Sequence, residues 1–316
     1  MKKYLLPNQG KFYKANMHCH TTLSDGDLTS NEVKKAYMDR GYSIVAFSDH
    51  DRCLGHADLI DDNFVAITSY EIDISHRIFN DNNFIQCYHL NCYSKNVEPP
   101  LEALKPLPPY TDIDAINDFI SEHNRLGFLV CYNHPNWSLQ TFEDYSNLKG
   151  LFACEIYNHS AAIGGVDGNQ EMPYDALLRN GNKIFCIASD DNHNKHPFDS
   201  PLCDSFGGFI MIKAPELKYQ TIMNSLEKGD FYASTGPEIK ELYVEDGKLY
   251  IECSDARSIN MTTAGRRAEV VRAAKGESVN SACFNFSEKD VYIRVQVTDN
   301  SGYRANTNAY FIEDLV

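Results

Sequence analysis

Short apolar segments with strand character alternate with amphipathic helices through the first two-thirds of the 316-residue chain. The predicted strands cover residues 14–20, 43–50, 64–74, 84–93, 128–134, 151–159, 183–190 and 208–213. Helices are predicted at residues 29–40, 112–126, 170–180 and 216–228, and a glycine follows each of them. Strands separated by helices favour a mostly parallel α/β sheet, open or closed into a barrel. Only a polar turn at residues 80–83 separates 64–74 from 84–93, which indicates a β-hairpin at that point.

The pattern changes after Thr235-Gly236-Pro237. Short strands without helical periodicity between them are predicted at residues 239–244, 248–253, 258–263, 282–286, 291–298 and 308–312. Such spacing is typical of a small antiparallel sandwich. We therefore expect an α/β domain over residues 1–236 and a β-sandwich-like accessory domain over residues 237–316. The accessory domain is expected to pack against the first domain or to mediate self-association into a homo-oligomer.

The composition of the chain limits the kinds of molecule that the protein is expected to bind. The net charge of −15 argues against binding to nucleic acid or to an anionic membrane surface, and leaves a small-molecule substrate as the expected partner. No segment approaches the roughly 18 apolar residues of a membrane-spanning helix, and only two leucines precede Pro7, too few for a secretory signal. Ten cysteines occur without a CxxC pair. This indicates reduced thiols and a cytoplasmic location.

Histidines and carboxylates concentrate at or near the C-terminal ends of the predicted strands. They are His18, His20, Asp25, His50, Glu71, His89, His134, Asp190, Asp191 and His193. Active sites of α/β barrels assemble at this rim. Each residue alone is unremarkable, but so many together, without matched Lys or Arg partners nearby in sequence, require cations. A mixture of imidazole and carboxylate suits Zn, Mn or Fe better than a purely oxygen-ligated Ca or Mg site.

These residues lie in motifs that resemble those of the polymerase and histidinol phosphatase (PHP) domain. The motifs are His18-Cys-His20, Ser24-Asp25-Gly26, Ser48-Asp49-His50-Asp51, Glu71, His89, Asn133-His134-Pro135 and Asp191-Asn-His193, in the order of that family. The resemblance spans about residues 14–235 and implies a distorted seven-stranded (β/α) barrel. Residues 229–237 and the segment Glu155-Ile-Tyr-Asn158 resemble its carbaryl-hydrolase-like branch.

The resemblance also implies three divalent metal ions and a ligand set for each. His18, His20, Glu71 and Asp191 would hold the first metal. Glu71, His89 and His134 would hold the second, with Glu71 bridging, and Asp25, His50 and His193 would hold the third. Asp190 remains an alternative to Asp191, because the family has one Asp at this position and this chain has two in succession.

Such a site predicts a metal-dependent hydrolase in which Glu71, Asp191 and His193 act in catalysis. We expect a phosphoesterase that attacks a small phosphate ester with a hydroxide shared between two metals. A hydrolase of a carboxylic or carbamic ester, or of an amide, could use the same metals. A third alternative is a non-catalytic binding module with structural metals.

Residues that would contact the rest of the substrate are predicted from their proximity to these motifs. Arg52, Arg77 and Lys195 could hold an anionic substrate, and Asn158 and His159 could line the pocket. Asp49 and Asp51 are candidates for orienting the imidazoles, or for capping the following helix.

Overall fold

A computed structural model describes residues 2–77, 85–100 and 106–315. The strands are β1 Lys3–Tyr4, β2 Lys11–Asn16, β3 Ile44–Phe47, β4 Val65–Arg77, β5 Ile85–Ser94, β6 Phe128–Tyr132, β7 Ala153–Asn158, β8 Phe185–Ser189, β9 Phe209–Ala214, β10 Phe231–Ser234, β11 Ile239–Glu245, β12 Lys248–Ala256, β13 Ser258–Thr263, β14 Ala268–Arg272, β15 Val279–Asn285, β16 Tyr292–Thr298, β17 Arg304–Thr307 and β18 Tyr310–Phe311. The α-helices are α1 Ser30–Met38, α2 Ile113–Arg125, α3 Phe142–Tyr145, α4 His159–Ile163, α5 Glu171–Arg179 and α6 Tyr219–Lys228.

The helices begin and end at the residues that their sequences favour. At α1 the Thr29 hydroxyl accepts from the backbone N–H of Glu32, and the Glu32 carboxylate accepts in return from the Thr29 N–H at 2.8 Å. This reciprocal pair satisfies two of the N–H groups left open at a helix start. Helix α6 ends at Gly229, whose φ of 75° lies in the left-handed region that glycine adopts at least cost. None of the described helices is long and apolar enough to cross a bilayer.

One large sheet carries the strands of the first two-thirds of the chain in the order β10-β9-β2-β3-β4-β5-β6-β7-β8. The pairs β2–β3, β3–β4, β6–β7 and β7–β8 are parallel. The pairs β4–β5 and β5–β6 are antiparallel, so the hairpin predicted there is confirmed for the strands, although its turn at residues 80–83 lies outside the described residues. The α/β class is therefore confirmed, with a mixed sheet.

The closed barrel expected from the resemblance is not found, because no continuous ladder joins β2 to β8 within the described residues. Strand β2 ends at Asn16 and β8 ends at Ser189, so the two meet only through the segments that follow them. There Asp191 N–H donates to His18 C=O at 2.9 Å, and His20 N–H donates to Asn192 C=O at 3.0 Å. These contacts at the rim bring the two ends of the sheet together beside the histidines, and β8 also packs against β9 and β10.

The C-terminal strands form two antiparallel layers around a second apolar core. One layer has the order β1-β11-β12-β15, and the other is β14-β13-β16-β17, which continues through β10 into the large sheet. The sequence prediction missed β10, β14, β17 and the two-residue β1, in which Lys3 pairs with Val244. The division at residue 236/237 stays a prediction, since sheet hydrogen bonds run across it between β10 and β17.

Eight of the ten cysteines are buried, and all ten are free thiols. Burial raises the pKa of thiols such as Cys131 and Cys154 well above the usual value. They therefore pack as small apolar side chains, as the sequence predicts.

Candidate metal centre

The carboxylate of Glu71 lies at the centre of the site and is surrounded by imidazoles. Glu71 is on β4, beside the end of β3, and its side chain is 1% exposed. Five imidazole nitrogens lie within 3.0–3.4 Å of its two oxygens, and they belong to His18, His20, His50, His89 and His134. The amide of Asn133 also donates to Oε1 at 2.8 Å. One carboxylate has too few acceptor sites to serve as the partner of all five imidazoles. The arrangement therefore needs further groups that accept nitrogen lone pairs, such as cations.

The first ligand group contains His18, His20, Glu71 and Asp191, whose donor atoms lie within 4.8 Å of one another. Asp191 Oδ1 is 3.1 Å from His18 Nε2 and 3.1 Å from His20 Nε2, and these two nitrogens are 3.1 Å apart. All four side chains are buried or nearly so. Nitrogens and carboxylate oxygens that face one another in this way have the arrangement of ligands around a cation.

A second group shares Glu71 with the first and adds His89 and His134. His134 Nδ1 lies 3.1 Å from the hydroxyl of Ser138, which leaves Nε2 toward Glu71 at 3.3 Å. His89 presents Nδ1 to Glu71 at 3.0 Å, and its Nε2 is 3.4 Å from Asp73. If both groups held a metal, Glu71 would be the residue that they share.

The third group contains His20, Asp25, His50 and His193. His193 Nδ1 is 3.0 Å from the C=O of Asp191, which directs Nε2 to Asp25 Oδ2 at 3.3 Å. His20 belongs to this group as well as to the first. The structure therefore brings all nine predicted ligands into three adjoining groups; how many metals bind, and which, stays a prediction.

Electrostatics fit a cation site. Two buried nitrogens, His20 Nδ1 and His50 Nδ1, have no hydrogen-bond partner among the described residues. Burial lowers the pKa of His20, but the carboxylates of Asp191 and Glu71 outweigh it and raise that pKa to about 9. Burial also raises the pKa of Glu71, yet His18 and His89 hold it well below its usual value. Without metals the site therefore retains protons, and cations would displace them.

Glu155, on β7, is the functional residue that the sequence prediction missed. Its Oε1 accepts from His18 Nδ1 at 2.8 Å and from the Ser189 hydroxyl, and its Oε2 accepts from His134 N–H and from the Asn158 amide, both at 3.0 Å. The carboxylate is fully buried. By accepting a hydrogen bond from Nδ1–H, Glu155 fixes the tautomer of His18, so that the lone pair of Nε2 is available for a metal.

The geometry favours Asp191 over Asp190 as the ligand. Asp190 is directed away from the imidazoles and accepts from the Tyr37 hydroxyl at 2.7 Å and from three backbone N–H groups at residues 206–208 at 2.7–2.8 Å. Four donors occupy its oxygens, whereas Asp191 faces His18 and His20. The backbone of Asp191 has φ 55° and that of His134 has φ 23°, so strain collects at the ligands, as it often does at functional sites.

The residues predicted to orient the site have other roles. Asp49 contacts no imidazole by a hydrogen bond within the described chain; it accepts from Thr21 and Ser24 and so fixes the loop that leads from His20 to Asp25. Asp51 is exposed and lies in the wall of a cavity described below.

The predicted substrate-contact residues lie in different places. Asn158 is buried and binds Glu155 and Asp191, and it also caps α4. His159 is half-buried with Nδ1 3.0 Å from the Tyr157 hydroxyl, and Lys195 donates to the Asp25 carbonyl and to Asp27. Arg52 is exposed, and the side chain of Arg77 lies outside the described residues. Their contact with a substrate stays a prediction.

A cavity of about 480 Å³ opens directly onto the ligand groups. His50 and His89 form one part of its lining, Asp51 and Asp73 another, and Trp137 and Leu139 a third. The indole of Trp137 lies 5.6 Å from the ring of His89 and 5.0 Å from that of His134, measured between centroids. A small molecule in this cavity would contact two of the three ligand groups.

Comparison with known proteins finds similarity to solved structures only. No protein-family model matches the chain, and no curated protein matches it. Among solved structures, the chain is similar to a two-domain protein from Bacteroides vulgatus that contains a predicted PHP-like metal-dependent phosphoesterase, with 14% identity, a TM-score of 0.47, and coverage of 97% of this chain and 98% of the other. It is also similar to a candidate metal-dependent phosphoesterase from Bifidobacterium adolescentis, with 15% identity, a TM-score of 0.41, and coverage of 62% and 91%. At these values the similarity establishes neither a family nor an activity, and the site itself must carry the functional argument.

Proposed function

We propose that the protein is a metal-dependent hydrolase of small phosphate esters. The observation that carries the proposal is the buried Glu71 carboxylate with five imidazole nitrogens within 3.4 Å, beside Asp191 and the group of Asp25 and His193. Three divalent cations held by Glu71, Asp191 and Asp25, with the carboxylates of Glu155 and Asp73 beside the ligand imidazoles, would leave a positive local charge of about +1. That charge suits a phosphoryl group better than a neutral carbonyl.

Residues of the chain would hold the cations as in the three groups above, and zinc, manganese or iron suits them. When bound, such metals supply a nucleophile at neutral pH and stabilise charge in the transition state. Hydrolysis forms a P–O bond to the oxygen of water and breaks the P–O bond to the leaving group. One proton of that water ends on the leaving oxygen, and the other is released. Glu71, Asp191 and His193 act by fixing the reacting groups, and Glu155 acts through His18.

A second candidate is hydrolysis of a carboxylic or carbamic ester, or of an amide. The observation that favours it is the cavity wall, where Trp137 and Leu139 are apolar and no Lys or Arg of the described part of the chain lines the space. An aromatic wall without a cation suits a neutral ester. The cytoplasmic location, the absence of nucleic-acid and membrane partners, self-association and the carbaryl-hydrolase-like branch remain proposals that rest on the sequence alone.

The test is to load the purified protein with zinc, manganese or iron(II), count the bound metals, and assay matched phosphomonoesters, phosphodiesters and carboxyl esters. Glu71→Gln keeps the shape of the side chain but removes the central charge, and we expect it to lose at least about 100-fold in kcat/KM. Glu252→Gln, at an exposed position on β12, is the matched control.

The outcomes separate the candidates. Phosphate ester hydrolysis that depends on metal and on Glu71 supports the proposal. Hydrolysis of carboxyl esters alone reverses the order of the two candidates. Bound metal without any hydrolysis would support the non-catalytic alternative.

A further inference from the structure

We infer that the cavity beside the metal centre selects substrates whose leaving group has an apolar body and carries a positive charge. The inference deepens the proposed function and rests on it, because the ligand groups of that function form the inner end of the cavity. The leaving group would be an organic amine or quaternary ammonium compound, held away from the reacting bond.

The cavity has an apolar wall beside the histidines. Trp137 is the only tryptophan in the sequence and is 48% exposed, and Leu139 beside it is 45% exposed. Large apolar side chains left open in this way within a concave site mark a ligand surface. Trp137 packs against the rings of His89 and His134, so a ring or alkyl chain stacked on it would lie next to the proposed reacting centre.

Asp51 and Asp73 give the cavity its negative charge. Asp73 is 3.4 Å from His89 Nε2 and accepts from the Ser75 hydroxyl, whereas the Asp51 carboxylate forms no hydrogen bond or ion pair with the described side chains of residues 2–76, 85–100 and 106–315. No Lys or Arg among those described side chains lines the cavity. Two carboxylates beside an indole face form a pocket of the kind that recognises ammonium groups, through ion pairing and cation–π attraction. They also repel an anionic leaving group.

A separate cavity of about 290 Å³ is lined by Lys195 and His196 together with Leu28 and Phe198, and by none of the nine candidate ligands among the described residues. Lys195 is already engaged by the Asp25 carbonyl and by Asp27. The acidic cavity, by contrast, is lined by the candidate ligands His50 and His89, and it combines an open carboxylate with an open aromatic face.

The inference can be tested by hydrolysis of three phosphate monoesters with the same aryl body. They are the O-phosphates of tyramine, 4-ethylphenol and 3-(4-hydroxyphenyl)propanoate, with cationic, neutral and anionic tails. On the metal-loaded protein we expect kcat/KM to fall in that order, with a cation-to-neutral ratio of about tenfold, the size of one favourable charge contact. Asp51→Asn should reduce the ratio to about two, whereas the exposed Asp62→Asn should leave it unchanged.

A binding measurement makes the result independent of turnover. Because Trp137 is the only indole, its fluorescence reports on this cavity alone. Benzyltrimethylammonium should quench it with an affinity at least about fivefold higher than benzyl alcohol, and Asp51→Asn should remove the difference. Charge-selective binding without hydrolysis of any ester would refute the proposed function and show only that the cavity selects cations. Hydrolysis of all three esters at similar rates, or a ratio that Asp51→Asn does not change, would overturn the inference and leave the proposed function standing.

Discussion

Replacement of Glu155 by Gln isolates the contribution of one buried charge to metal binding. Gln has the same shape, but only one of its two terminal atoms can accept a hydrogen bond. In the protein, Oε2 of Glu155 faces two donors, the backbone N–H of His134 and the amide of Asn158, both at 3.0 Å. The backbone N–H cannot become an acceptor, so the Gln oxygen takes this side and its NH₂ group faces His18 and Ser189.

The consequence falls on His18. The Ser189 hydroxyl can rotate to accept from the new NH₂ group, but the Nδ1 of His18, 2.8 Å away, can accept only in the other tautomer. That tautomer carries its proton on Nε2, the nitrogen that lies 3.1 Å from Asp191 and is directed at the first ligand group. Loss of an orienting carboxylate of this kind typically costs about 10–100-fold in metal affinity. Because the tautomer is also reversed here, we expect the upper end of that range, about 100-fold or 2.7 kcal/mol.

The assay is titration of the metal-free protein with zinc against a chelator of known affinity, with the melting temperature of the metal-free protein measured in parallel. Ser189→Ala is the matched control, because it removes a donor from Oε1 and keeps the charge, and we expect it to change zinc affinity less than about threefold. A folded Glu155→Gln variant that binds zinc as tightly as the parent would refute the tautomer argument. A variant that loses affinity only as it loses its melting transition would show a structural role instead.

Three further predictions follow from the contacts described. The pKa of His20 is raised to about 9 in the metal-free protein, so its contribution to stability is complete below the unfolded pKa of about 6.5 and is lost as pH rises through 9. Urea unfolding of the metal-free protein should therefore show a loss of about 3 kcal/mol in the free energy of unfolding across that window, whereas the stability gained from zinc should rise with pH. A metal-free protein that becomes more stable toward pH 9 would contradict this. Arg294, on β16, forms a two-pronged ion pair with Asp175, on α5, at 2.9 Å for both contacts. Because Asp175 also accepts from the Tyr292 hydroxyl and lies 3.8 Å from Arg179, Arg294→Met should cost about 1.5–3 kcal/mol in urea unfolding, with partial recovery in the double variant that adds Asp175→Leu. A double variant no more stable than the single one would exclude the charge of Asp175 as the cause. Tyr37→Phe removes the hydroxyl that donates to Asp190 and should cost about 1.5–3 kcal/mol in the free energy of unfolding, with little change in zinc affinity. A loss of zinc affinity without that loss of stability would instead mean that Asp190 is a ligand.

The candidate ligands could be found from the sequence because their chemistry and their placement agree. Histidines two residues apart at the end of an apolar strand, such as His18 and His20, stand out against their surroundings, and parallel strands bring their C-terminal ends to one edge. Glu155 was noted only as part of the segment Glu155-Ile-Tyr-Asn158 and was given no role, since it lies inside the apolar run of β7. Its partners His18 and Ser189 are 137 and 34 residues away in the chain, and only the folded sheet brings them together.

The helices and strands were predictable to a similar extent. Helices with capping residues and apolar strands were located to within a few residues, as at α2, predicted at 112–126 and found at Ile113–Arg125. Strands that are very short or partly polar, such as β1 and β17, were missed because pattern and propensity are weak over two to four residues. The open ladder between β2 and β8 depends on where each strand stops, which no local pattern specifies.

The hydrogen bonds between β10 and β17 have a consequence for any attempt to isolate the metal-binding part. Ala233 pairs with Asn306, and Thr235 N–H donates to the Arg304 carbonyl at 2.8 Å. A chain cut after residue 236 would leave the outer edge of β10 with bare N–H and C=O groups and with Tyr232 uncovered. Unprotected strand edges of this kind recruit other chains. The last eighty residues therefore cover a strand edge of the sheet that carries the candidate ligands.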